Sequence, residues 1–304
     1  MTLLALQPVD ITNSMILSSD AVETRPEWTS GAVFAKGQRC IIQSQLSEYE
    51  SLVDGNQGRN PLSNLGTYWV RSGPSNKGAM FDKSVTTMTT GAGPFSVEIN
   101  PLRTFNAVGF VNLQGSTIRL IVRDSIGGNI VYDKTEALIM RPVFSWFQYF
   151  FTPFDDVRTE VIFRDIPQYP TAVAEVIVDG ASVGIGAMIL GTIHEMGCVQ
   201  YDASFGITDY SQLEEDRWGN VSLADGDTAY ARNMDLQVMV KKERVAYVSR
   251  ILAQLRRTPT LWIGSEDPDY PLIVFGFVRS WRGAIRYPTR TLFDVQIRGM
   301  NDVI

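Results

Sequence analysis

Hydrophobic and polar positions alternate with a period of two over most of this chain, and only one stretch keeps the spacing of a long helix. Between residues 96 and 191 the alternation predicts strands at 96–99, 107–113, 117–123, 129–133, 146–151, 160–163, 172–178 and 182–190. Turn sequences separate them, among them Asn100-Pro101, Gln114-Gly115-Ser116, Gly127-Gly128-Asn129 and Asp179-Gly180-Ala181. Short strands at that spacing are the pattern of an antiparallel β-sandwich, and eight of them suit a jelly roll.

Beyond residue 192 the texture changes. Residues 202–235 form an acidic, turn-rich ribbon around Glu214, Glu215, Asp216 and the Gly219-Asn220 turn, and 234–240 reads as a strand. Val245, Val248, Ile251, Leu252 and Leu255 then recur at helical spacing, with Lys241, Lys242, Arg244, Arg250, Arg256 and Arg257 on other faces. Thr258-Pro259 stops the helix, and strands follow near 261–263, 272–279 and 291–298. The expected fold class is mainly β in three parts. These are an N-terminal segment (1–76) with a small β module, a central antiparallel β-sandwich (77–195), and a C-terminal α+β domain (196–304) with one main helix on a small sheet.

Residues 28–76 concentrate aromatics, glycines and turns: Trp28, Phe34, Gly37, Tyr49, then Asn56-x-Gly58-x-Asn60-Pro61, Tyr68-Trp69 and Gly73-Pro74-Ser75-Asn76. The segment resembles the small chitin-binding-type carbohydrate-binding module, in which a Trp opens the fold and Asn-x-Gly-x-x-Pro precedes a final Trp. A domain this small buries little surface and must pin its strands with large aromatics and tight turns. The middle strands resemble galactose-binding-like jelly rolls.

The whole chain resembles a type of structural protein encoded by tailed bacteriophages. The likeness runs through Asn76-x3-Met80-Phe81-Asp82, the Thr-rich stretch 85–90, Gly206-Ile207-x-Asp209-Tyr210-Ser211, Asp216-x-Trp218-Gly219-Asn220 and Thr258-Pro259-x-x-Trp262-Ile263-Gly264. It implies a virion component of the tail or its baseplate-like apparatus, made in the host cytoplasm. Its implied partners are other tail proteins, further copies of itself, and a tail fibre or host-surface glycan.

Composition narrows the classes. At 304 residues, 44% hydrophobic and 20% charged, with 25 Gly and 14 Pro, the chain is globular and rich in turns, with two or three domains expected. A net charge of -6 argues against a free nucleic-acid binder. No apolar run approaches the roughly 20 residues of a membrane helix, and the start lacks the basic flank of a secretory signal. Cys40 and Cys198 fall in different expected domains and read as small buried apolar residues, not as a disulfide.

Catalytic signals are sparse. His194 is the one imidazole, which excludes a His-based zinc site and reads as a strand-end residue with a structural hydrogen bond. Gly184-x-Gly186 and Gly191 lack the spacing of a dinucleotide loop and suit close strand packing. Glu214, Glu215, Asp216 and Asp209 read as a solvated loop more readily than as a glycosidase pair. Asp124 with Asp133, or Asp202 with Asp209, offer oxygen ligands without a regular calcium loop. No metal or cofactor is expected.

Binding offers more. Sugars stack their C–H faces on aromatics and give hydroxyls to amides, so Trp28, Tyr49, Tyr68 and Trp69 with Asn56 and Asn60 are the candidate glycan residues, two of the four aromatics being needed for the core. Lys241, Lys242 and Arg244 form a basic face that complements Glu214, Glu215 and Asp216 of a neighbouring copy, the arrangement of a head-to-tail contact. Trp218, Trp262 and Trp281 are interface-type residues that suit a core equally well. The expected function is that of a non-enzymatic virion subunit. The alternatives are a carbohydrate-binding adhesion protein and a carboxylate-dependent glycan hydrolase.

Overall fold

The computed structural model describes residues 1–140, 145–151, 156–210, 213–215, 218, 221–223, 229–265 and 272–303. The protein is mainly β with one main helix, Val245–Leu255. It divides into two compact units, each built from separate stretches of chain. One comprises Met1–Val9, Phe105–Gly109 and Ile189–Ile304, and the other comprises Asp10–Thr104 and Phe110–Met188. The division at 195/196 expected from the sequence falls inside a single strand, Val183–Val199. The strand Thr2–Pro8, assigned by position to the N-terminal segment, pairs with residues 191–198.

In the second unit a five-stranded antiparallel sheet runs in the order Ile130–Ala137, Thr117–Arg123, Val173–Asp179, Phe95–Ile99, Ile16–Ser19. Register explains its buried face. Ile118 lies opposite Val178 and Val178 opposite Phe95, while Leu120 lies opposite Val176 and Val176 opposite Val97, all fully buried. At roughly 25 cal/mol per Å², such rows supply the main favourable term for this sheet. Thr89–Gly91 pairs with 183–185, and a side chain at Gly91 would strike the ring of Phe95. Two layers therefore meet there, the sandwich-like arrangement that the alternation predicts.

One expected strand is a helix. Trp146–Phe151 forms a helical turn and a half, with the rings of Phe147 and Phe151 4.9 Å apart. The run Trp-Phe-Gln-Tyr-Phe-Phe carries no polar alternation to favour a pleat, and an i,i+4 aromatic pair supports a helix instead.

The N-terminal module lies in the same unit. Arg39–Ile42, Ser47–Ser51 and Trp69–Pro74 form a three-stranded sheet, and Val33–Phe34 pairs with Asn56–Gln57. Its core is Phe34, Cys40, Tyr49 and Trp69, with Trp28, Ala32, Ile42 and Tyr68 packed around it.

In the first unit the strand order is Val183–Val199, Thr2–Pro8, Thr260–Ile263, Ile273–Ala284, Arg290–Val303, Ala229–Lys241. Cys198 and Val199 then pair with Met239 and Val238, so the order returns to its start and the ladder closes. Closure through these two residues joins the first and last strands, while 277–284 of Ile273–Ala284 keeps one side unpaired among the described residues. Val248, Ile251, Leu252 and Leu255 of the helix join Leu3, Leu236, Val238, Trp262, Phe293 and Val295 in one core. The helix thus buries the stripe its spacing predicts. Ser204–Asp209 adds to residues 230–235 of the long strand outside the closed ladder.

Candidate functional site

The N-terminal module uses its aromatics mainly for itself. Trp69 is fully buried, its indole donates to the carbonyl of Arg59 at 2.8 Å, and Phe34 meets it edge to face at 5.2 Å. Tyr49 and Asn56 are buried as well, and the Asn56 amide donates to Ser51 Oγ and to the carbonyl of Tyr68. These three are core residues and cannot stack on or read a sugar, which corrects half of the candidate glycan set. Trp28, Asn60 and Tyr68 stay partly accessible. Asn60 Oδ1 accepts from the amide of Leu62, and the Arg59 guanidinium lies 3.9 Å from the Tyr68 ring centroid, so one face of that ring is taken. Trp28 packs on the module's core, and its neighbours Glu27 and Thr29 line a groove of about 640 Å³ together with Arg25, Phe34, Gln38 and Arg39. Arg39 is already paired with Glu50 at 3.0 Å.

The other candidate chemistry resolves into structural roles. His194 Nδ1 lies 2.8 Å from the Tyr247 hydroxyl and Nε2 lies 3.1 Å from Gln7 Oε1, which occupies both ring nitrogens. Burial holds its pKa below the ordinary value. Cβ atoms at Gly184, Gly186 and Gly191 would collide with Met88, Asn112 and the Gln7 carbonyl, so these glycines permit close strand approach. Asp133 is held by Arg119 at 2.6 Å, which keeps its carboxyl below the usual range, and Asp124 accepts from the Asn129 amide at 3.0 Å. Neither is set up as a calcium ligand. Among the described residues no group of three or more His, Cys, Asp or Glu is placed to hold a metal ion.

The basic face is arranged differently from its sequence outline. Arg244 turns inward, with Nη1 3.2 Å from Glu195 Oε2 and Nη2 donating to the Glu195 carbonyl at 2.9 Å. Lys241 instead lies directly opposite Arg290, and the Lys242 amide donates to the Thr289 carbonyl at 3.0 Å. That register brings both lysines to the arm made by Ile273–Ala284, the turn after it, and the start of Arg290–Val303. Arg279, Arg282, Arg286 and Arg290 are all exposed on this arm, and no acidic residue occurs from 279 to 293. Trp281 stacks on Phe293 at 5.8 Å, while Ile285 and Tyr287 project into solvent at 85% and 52% exposure. Sequence reasoning missed the arm because its arginines are spread along an ordinary-looking hairpin. The signal was their density within an acidic chain.

The complementary acidic set is described only in part. Glu214 and Glu215 lie on Leu213–Glu215, paired with Val221–Leu223, and Asp216 lies outside the described residues. Earlier in the chain, Ser204–Asp209 exposes Phe205 and Ile207. Of the three interface-type tryptophans, Trp262 is core, whereas Trp218 is 86% exposed. The chain matches no protein-family model and no curated protein. Its functional reading therefore rests on these surfaces and on the motif resemblance.

Proposed function

We propose that this protein is a non-enzymatic structural subunit of a tailed-phage virion, placed in the tail or its baseplate-like apparatus and working through contacts with further copies and with other tail proteins. The observation that carries the reading is the pairing of Lys241 with Arg290, which merges two basic segments into one face beside a turn that exposes Ile285 and Tyr287. Arginines interleaved with exposed aromatic and aliphatic groups are the composition of a protein interface core, and a solvated helix face has no use for the apolar part. The resemblance of its sequence motifs to those of phage structural proteins supports the same reading.

The test is the mass of the purified full-length protein by mass photometry, alone and mixed with the products of neighbouring genes. A closed oligomer or a stoichiometric complex is expected. A monomer that ignores those partners would overturn the proposal.

The partly exposed Trp28, between Glu27 and Thr29 of the groove lining, favours a second reading, in which the N-terminal module docks a fibre or a host glycan. Retention on host polysaccharide that is lost in a folded Trp28→Ala variant would support it, and retention unaffected by that change would remove it.

A further inference from the structure

The arm has a free backbone edge. Ile273–Ala284 pairs on one side with Thr260–Ile263, but that pairing ends where Thr260 meets Gly276. From residue 277 to 284 its ladder partners among the described residues lie on the other side only, in Arg290–Val303. Row after row of outward N–H and C=O groups on that side is a template for another strand.

A second free edge of similar length exists on the same unit. Ser204–Asp209 pairs with 230–235, and among the described residues it ends the strand order. Every residue of it is exposed, including Phe205 at 60% and Ile207 at 69%. Nothing lies within 4 Å of a Cβ built at Gly206, so a neighbouring side chain has room there.

The two edges carry opposite charge. Ser204–Asp209 carries Asp209 and follows Asp202, with no cation from 202 to 209, whereas the arm holds Arg279, Arg282, Arg286 and Arg290 with Lys241 beside them. Pairing the acidic edge with its own twin would bring like charges together. Pairing it with the basic arm brings opposite charges together and covers Phe205 and Ile207 with apolar groups of the arm.

The two edges do not meet within one molecule. Gly206 lies opposite Asn233, Asn233 opposite Arg298 and Arg298 opposite Phe277, so the strands Ala229–Lys241 and Arg290–Val303 stand between the two edges, which face opposite ways. Complementary edges that face opposite ways across the same strands are satisfied between copies, head to tail.

We infer that a second copy of this chain docks by β-augmentation, the 277–284 edge of one subunit's arm adding to the Ser204–Asp209 edge of the next. This rests on the subunit reading above and gives its self-contact a location and a polarity.

Two variants test it in the full-length protein. Arg282→Glu/Arg286→Glu reverses the arm, and Phe205→Lys/Ile207→Lys places cations on the acidic edge; all four positions are exposed, and thermal melts check that each variant is folded. Sedimentation should show the wild type self-associating, with association weakened about tenfold or more in each variant and by added salt. An equimolar mixture of the two variants should recover association, because each retains one intact edge for the other and the reversed arm is complementary in charge to the cationic edge.

A wild type that stays monomeric at high concentration, variants that assemble like the wild type, or a mixture that fails to pair would each overturn the inference. If the wild type is monomeric yet binds neighbouring gene products, the self-contact is wrong and the subunit reading stands. If it ignores those products as well, both fall.

Discussion

The Tyr247 hydroxyl lies 2.8 Å from Nδ1 of His194, tying the main helix to the long strand behind it. A neutral ring serves the site: Nε2–H donates to Gln7, and Nδ1 accepts from tyrosine. Burial lowers the folded-state pKa below 6.5, so below that pH the unfolded chain takes the proton more readily than the folded one. The contribution of His194 is therefore complete above the unfolded value and is lost as pH falls through it. His194→Ala should cost about 1 kcal/mol at neutral pH and flatten the fall in stability as pH drops below about 6.5, read by urea denaturation at each pH.

Trp69→Ala should unfold the N-terminal module and leave no test of glycan binding. The indole is fully buried and hydrogen-bonded, and such truncations cost about 3–5 kcal/mol. Limited proteolysis should cut the variant within residues 28–76, whereas Trp28→Ala, at a partly exposed position, should resist like the wild type.

The two thiols should differ in reactivity. Burial pushes the Cys40 thiol up to about 12, so almost none of it is thiolate at neutral pH, while Cys198 is exposed. Native protein should take up one equivalent of an alkylating reagent, at Cys198, and a second only after denaturation, as intact mass would show.

Gly276→Ala should destabilise the closed ladder. A Cβ there would lie 2.0 Å from the Arg298 carbonyl oxygen, Gly276 faces Gly299 across the ladder, and its own carbonyl accepts from the buried Trp262 indole at 3.2 Å. Backbone atoms cannot yield as a side-chain tip can, so a loss of about 1–3 kcal/mol is expected in thermal melts.

Much of the fold was legible because half-buried strands and an amphipathic helix write their period locally. The alternation at 117–123 predicts the observed Thr117–Arg123, and the apolar stripe beginning at Val245 predicts the observed helix. Trp146–Phe151 was misread because a continuous aromatic run has no period to read. The ladder's closure through Cys198 and Val199 left no local signal, since it depends on partners some forty residues onward. For the site, the chemistry of Lys241 was legible and its neighbour was not: only the register of two long strands sets it against Arg290. The aromatics of the module were legible as a group, but which of them turn inward depended on packing around Phe34.

The strand Thr2–Pro8 is far in sequence from its ladder partners. These lie at 191–198 and 261–263, so Leu3, Leu4 and Leu6 are made nearly two hundred residues before the strands that pair with theirs, and of their own unit only Phe105–Gly109 comes in between. Residues 10–188, by contrast, already contain every stretch of the other unit and can condense while the remainder is still being made. The order of translation thus imposes an order of folding, with the module-bearing unit maturing first. Closing the ladder, with both of the edges inferred to join copies, needs the strand Arg290–Val303, so self-association waits on that late strand.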